Sequence, residues 1–266
     1  MEYFGKIIDA HGHIYPDKIA KKATEAISDF YSIKMRHIGT VEAIKESGKK
    51  IGVRKQLVCS TATTPEQVER INTYISDCCR ENEEFIGFAT LHPDYATIEK
   101  ELQRIKELGL KGIKLHTDFQ QFYIDDPRAV IMYQKIAEAN LPILFHMGDD
   151  KRHYSEPEQL KRVMEYVPTL VAIAAHFGGY QRWDAAVNYL KDIPNIYFDT
   201  SSSLEFLSCE AAEYMISVFG EDRLFFGTDF PMWDHEEELN RFMRLTLTED
   251  VREKILFKNF MRVFGV

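Results

Sequence analysis

The chain predicts an α/β fold, a single-domain (β/α)8 TIM barrel with an extra C-terminal helix, and three observations carry that expectation. Its 266 residues match the roughly 250 that one such barrel needs. Short apolar segments alternate with stretches of helical period eight times along the sequence. Those segments are near-continuous runs of Ile, Val, Leu and Phe, which suits strands buried on both faces of a parallel sheet; half-exposed antiparallel strands would alternate with polar residues.

Taken in order, the strands are expected at 6–14, 54–61, 85–92, 112–117, 142–148, 170–178, 195–202 and 223–231. The helices between them have readable starts. In Thr64-Pro65-Glu66-Gln67 a capping hydroxyl precedes a first-turn proline and a Gln at the third helical position; Ser155-Glu156-Pro157-Glu158 repeats the device, and Asp126-Pro127 is a simpler form. Residues 248–264, with Val251, Ile255, Phe260 and Val263 at helical spacing, make the extra helix, packed beneath or beside the barrel. An open doubly wound sheet is the rival architecture, but it usually carries a Gly-rich turn after its first strand. Here that strand ends in His-Gly-His, and neither the dinucleotide nor the P-loop glycine motif occurs. No linker or low-complexity tract interrupts 1–266, which reads as one domain.

With 45% hydrophobic, 28% charged and 12% aromatic residues, the chain can bury a sizeable core. Its net charge of −9 disfavours a non-specific grip on polyphosphate and points to small-molecule chemistry rather than nucleic acid. Cys59, Cys78, Cys79 and Cys209 form no Cys-x-x-Cys pair, and a chain of this length needs no disulfide staples. The first residues lack a charged-then-apolar leader, and no apolar run approaches the roughly 18 residues of a membrane span. The expectation is a reduced, cytoplasmic protein without membrane partners.

Five segments end in a metal-binding or proton-moving side chain: I-I-D-A-H-G-H-I, G-I-K-L-H, P-I-L-F-H-M-G, V-A-I-A-A-H-F-G-G and L-F-F-G-T-D-F-P. A closed barrel would bring the ends of its strands to one rim, where such barrels do chemistry. His11 and His13 are two apart on a strand, so both imidazoles face one way and suit adjacent positions on one cation. Asp9 shares that face and could orient one of them from behind. The plain alternative is a pair of polar strand-end residues. His146 and His176 each end an otherwise apolar strand, where an imidazole needs a hydrogen bond or a metal; a satisfied core histidine is the alternative. Asp229 ends the eighth strand, which ring closure makes the neighbour of the first, and it can bind a metal or take a proton from metal-bound water; a turn or capping Asp is the alternative. Lys114 and His116 also share a strand face, and their expected role is to bind a substrate carboxylate or polarise a carbonyl, against a buried ion pair of Lys114 with Asp9. In the loops after strands five and six, Arg152 and Arg182 could grip a carboxylate with two N–H groups.

This order of motifs resembles the amidohydrolase superfamily, and more narrowly the amidohydrolase 2 family, over nearly the whole chain. The resemblance implies a distorted (β/α)8 barrel in which His11, His13, His146 and Asp229 bind the metal and His176 acts as proton acceptor or electrophile beside its water. Two-metal members of the superfamily carbamylate a strand-four lysine, which Lys114 would permit, but amidohydrolase 2 relatives commonly use one metal. Relatives are often dimers or tetramers, so a homo-oligomer is compatible with the resemblance.

The leading expectation is hydrolysis of a small amide, ester or lactone by water activated on one divalent ion, Zn2+ first, with Asp229 or His176 carrying the proton. The alternative is a lyase of the same family, a non-oxidative decarboxylase or a hydratase acting on a small carboxylate. A related DNase would be expected to carry a glutamate on strand four, where this chain has Lys114-Leu115-His116, and a phosphoesterase that also begins Asp-x-His-x-His lacks its later motifs here. A binding protein that has lost turnover would not need the intact set of five.

Overall fold

A computed structural model describes residues 3–266. The eight expected strands are all present: β1 (Ile8–His13), β2 (Lys55–Cys59), β3 (Phe85–Thr90), β4 (Gly112–Leu115), β5 (Ile143–Phe145), β6 (Ala172–Ala174), β7 (Ile196–Asp199) and β8 (Leu224–Phe225). They form one sheet in sequence order with helices between, the (β/α)8 barrel fold. Each strand is shorter than its apolar run. His176, Ser202 and Asp229 adopt φ of 61°, 50° and 59° just past β6, β7 and β8, and a left-handed residue ends a ladder. The apolar character continues because the segments beyond are themselves buried, as Phe177, Phe226 and Phe230 are.

By contacts the chain divides into two compact units: residues up to Cys59 with Glu81–Ile86 and Thr200–Val266, and Ser60–Arg80 with Gly87–Asp199. In the first, β1 pairs in parallel with β2, with a register irregularity between Asp9 and Gly12. The segment after β8 runs along the other edge of β1: the N–H groups of Ala10 and His13 donate to the carbonyls of Phe226 and Phe230 (2.8 and 2.7 Å), and Asp229 N–H donates to His11 O (2.8 Å).

The C-terminal helix expected at 248–264 is present, capped by the Thr248 hydroxyl and broken by a π-turn at Lys254–Lys258. There the Asn259 N–H bonds the Lys254 carbonyl, so the Ile255 carbonyl turns to accept from Phe226 N–H at 2.9 Å. The π-turn thus ties this helix to the chain just beyond β8, and Phe225 packs on Phe260 and Phe264.

In the second unit β3 to β7 pair in parallel, with Phe88 opposite Gly112, Ile113 opposite Ile143, and Ala172 opposite both Ile143 and Ile196. Its helix starts differ in detail from expectation. Asp126 caps as foreseen, accepting from Arg128 N–H. Before Pro157 the cap is Glu156, boxed with Gln159, while Ser155 donates to Asp118. Thr64 makes no capping bond, and its helix begins with a 3-10 turn at Pro65–Gln67. No described helix is long and apolar enough to cross a membrane.

Gly12 lets β1 lie close to its neighbours, since a Cβ there would meet Ile44 Cδ1 at 2.7 Å and Gln56 Nε2 at 2.9 Å. Gly12→Ala is therefore expected to destabilise the fold by about 1–3 kcal/mol, as overpacking does. Urea unfolding checks this, and an unchanged midpoint would refute the steric reading.

Candidate metal centre

His11, His13 and Asp229 meet within the first unit. His11 Nε2 and His13 Nε2 lie 3.2 Å apart, and Asp229 Oδ1 is 3.5 Å from the first and 3.3 Å from the second. Ligand atoms 2.0–2.2 Å from a tetrahedral Zn2+ stand about 3.4 Å from one another, so this triangle has the edge lengths of one face of such a site. Three lone-pair atoms facing each other in a buried place repel unless a cation or proton lies among them. The donor set therefore fits a divalent metal.

The three donors are held from behind. Ser201 Oγ lies 3.0 Å from His11 Nδ1, Cys59 Sγ lies 3.6 Å from His13 Nδ1, and Ser202 Oγ donates to Asp229 Oδ2 at 2.6 Å. Asp9 does not take the ring-orienting role expected of it. Its carboxylate accepts from the backbone N–H groups of His11 and Thr228, the Thr228 hydroxyl and the Gln56 amide, and sits 3.0 Å from His235 Nε2. The bonds to His11 and Thr228 clamp the backbone at the ligands rather than the imidazoles. Asp229 is a turn residue, as its left-handed φ indicates, but its carboxylate caps no helix; Asp234 caps the one that follows.

Within the second unit His146 and His176 are joined, His146 Nδ1 to His176 Nε2 at 3.0 Å. His146 Nε2 lies 2.9 Å from Gly148 O; a carbonyl only accepts, so this nitrogen carries the proton. Both ring nitrogens of His146 are thus engaged, and ligation by it would require exchanging one of these bonds. His176 sits in a 3-10 turn beyond β6, with its N–H on Asp199 and its carbonyl accepting from the Trp183 indole.

Lys114 is fully buried on β4, and His116 starts the short helix Thr117–Gln120. The His116 ring stacks on His146 at 3.8 Å and 5°. Lone pairs in parallel ring planes cannot meet at one ion, so the buried group His116, Asp118 and His146 is not a ready second centre without a ring rotation. Burial raises the Asp118 carboxyl to about 6, against the Ser155 bond that lowers it. Arg152 lies 3.7 Å from Asp149, and the Arg182 Nε–H donates to Glu156 Oε2 at 2.9 Å, so one N–H of Arg182 is already given to a carboxylate of the chain.

Sequence reasoning passed over Ser201, Ser202 and Cys59. The signal was available for the first two: Thr200-Ser201-Ser202-Ser203, following Asp199, is a run of hydroxyls at a strand end that contributes nothing to an apolar core. Trp233, which the sequence places with His235 in the loop after strand eight at the expected active face, is buried beneath Arg36 and Arg241 and donates its indole N–H to Ser202.

Glu238 lies behind this cluster. One of its oxygens takes Arg241 and the other is buried without a hydrogen-bond partner. Burial pushes its carboxyl to about 8, against the pull of Arg241. The folded protein thus keeps a proton that the unfolded chain releases above its ordinary 4.5. This contribution is complete below about pH 4.5 and is lost as pH rises through about 8. Glu238→Gln is expected to flatten that fall, seen as urea midpoints closer together at about pH 5 and about pH 9 than in the parent; parallel profiles would count against it.

Solved structures with this fold are decarboxylases in several cases. The 5-carboxyvanillate decarboxylase LigW of Sphingomonas paucimobilis is 16% identical, with 98% of this chain and 99% of that one covered at a TM-score of 0.75. A dihydroxybenzoic acid decarboxylase of Polaromonas sp. JS666, solved with manganese and 2-nitroresorcinol, is 17% identical over 98% and 97% of the chains, also at 0.75. A 2,6-dihydroxybenzoate decarboxylase solved with 2,6-dihydroxybenzoate is 18% identical over 99% and 100%, at 0.72. Against these neighbours the expected hydrolysis of an amide, ester or lactone is corrected: the lyase alternative fits them better. The physical reason the sequence misled is that one donor set serves either reaction, because the ion polarises whichever oxygens the pocket presents. No curated protein sequence matches the chain. A family model described as amidohydrolase matches residues 8–266, and the chain belongs to the amidohydrolase 2 family of enzymes.

Proposed function

We propose that this protein is a metal-dependent, non-oxidative decarboxylase of a small aromatic carboxylate such as a hydroxybenzoate. The observation that carries the reading is the triangle of His11 Nε2, His13 Nε2 and Asp229 Oδ1, with edges of 3.2 to 3.5 Å. The names of the decarboxylase neighbours supply the substrate class. His11, His13 and Asp229, with His146 as a further donor after exchange of a hydrogen bond, would hold one divalent ion. Zn2+ is the choice because imidazole nitrogens outnumber oxygens in that set, although neighbours carry manganese. When bound, the ion supplies positive charge that orients substrate oxygens and draws electron density from the ring.

The chain's own residues do the rest. Losing carbon dioxide breaks the bond between ring and carboxyl carbon and leaves its electron pair on the ring, which must take a proton. His176, with the His146 imidazole at its Nε2 and Asp199 on its backbone N–H, is the group assigned to give that proton. Lys114, His116 and Arg152 are assigned to the substrate carboxylate; Arg182 already gives one N–H to Glu156. Cys59, Cys78, Cys79 and Cys209 are thiols, which suits a reducing, cytoplasmic compartment.

The test is a panel of hydroxybenzoates, with esters, amides and lactones alongside, assayed for carbon dioxide and for the decarboxylated arene. Carbon dioxide release that stops on chelation and returns with Zn2+ or Mn2+ is the expected outcome; turnover confined to water-adding substrates overturns the assignment. Asp229→Asn and His176→Asn are each expected to stay folded and to lose roughly 100-fold or more in kcat. Wild-type turnover in either variant removes that residue from the reaction.

A further inference from the structure

Two consecutive hydroxyls beyond β7 stand behind two of the three converging donors. Ser201 Oγ is 3.0 Å from His11 Nδ1, and Ser202 Oγ is 2.6 Å from Asp229 Oδ2. Adjacent side chains on an extended strand point to opposite faces. Here Ser202 takes φ 50°, a left-handed backbone that a non-glycine residue rarely adopts and that persists only where its surroundings hold it. The turn is fixed further by Ser203 Oγ, which donates to the Ser201 carbonyl at 3.0 Å.

The direction of the second bond follows from the indole. Trp233 Nε1–H can only donate, and it lies 2.9 Å from Ser202 Oγ. The Ser202 oxygen is therefore an acceptor from Trp233, and its single proton points to the carboxylate. That occupies Asp229 Oδ2 and leaves Oδ1 toward the two imidazoles. On the other side, a Ser201 oxygen accepting from His11 Nδ1–H holds the tautomer in which Nε2 carries the lone pair. Ser201 and Ser202 are buried, Asp229 and the buried His11 are separated by more than two hundred residues in sequence, and one dipeptide reaches both.

We infer that Ser201 and Ser202 are positioning residues that together select the metal-facing atom of His11 and of Asp229. The inference rests on the metal-centre reading above and deepens it. Outer partners of this kind typically alter metal affinity 10- to 100-fold when removed. The experiment is chelator-competition titration of Zn2+ and Mn2+ into purified parent protein, Ser201→Ala, Ser202→Ala and the double variant, with thermal unfolding of each metal-free protein in parallel. Ser208→Ala, which removes only the cap of the helix Cys209–Phe219, controls for a general loss of stability.

The expected result is one ion per parent chain, affinity roughly 10- to 100-fold weaker in each single variant, and Ser208→Ala destabilised with parental affinity. Parental affinity in both serine variants overturns the inference and leaves the metal centre standing. A parent that takes up no divalent ion overturns the metal-centre reading itself. Weakening matched by Ser208→Ala would show that affinity merely follows stability, and it also overturns the inference.

Discussion

The pairing of the segment after β8 with β1 is the constraint from which the candidate centre follows. Asp229 N–H on the His11 carbonyl and His13 N–H on the Phe230 carbonyl fix the two backbones residue against residue. Once they are fixed, the carboxylate of a residue more than two hundred positions away has little choice but to face the His11 and His13 rings. The Asp9 carboxylate strengthens the same junction by taking N–H groups from both sides, His11 and Thr228. Such charge-assisted bonds in a buried place are strong and tolerate little displacement. The left-handed conformation of Asp229 is held by this junction.

Polar groups in a barrel interior must be answered, and here the answers are arranged in layers. The donor atoms face one another; Ser201, Cys59 and Ser202 stand at the opposite atoms of the same side chains; and Trp233 anchors Ser202 in turn. Each layer reduces the freedom of the one before it, so little ordering remains when a ligand arrives. His146 and His176 obey the same rule by bonding each other.

The eight strands, their order and the C-terminal helix were legible in the sequence because buried parallel strands are apolar on both faces and helix starts carry capping residues. Strand ends were less legible. The apolar runs outlast the ladders, since buried turns such as Phe177 and Phe230 use the same residues as strands. The helix after Ser155 shows a finer limit: serine, glutamate and glutamine all suit the start, and only packing against Asp118 decides that Ser155 turns away and Glu156 caps.

Alone, the sequence determined which side chains could do chemistry, because imidazoles and a carboxylate at the ends of apolar strands are costly to bury without a partner. It also determined the fold that carries them. The tertiary structure decided what each side chain meets: that Asp9 grips backbone rather than ring, that Arg182 bonds Glu156, that His116 stacks flat on His146, and that two serines hold the donors. The physical reason is range. Burial and periodicity act along a few neighbouring residues and leave a trace in the sequence, whereas a hydrogen bond between residues 202 and 229 depends on loop paths that no local pattern encodes.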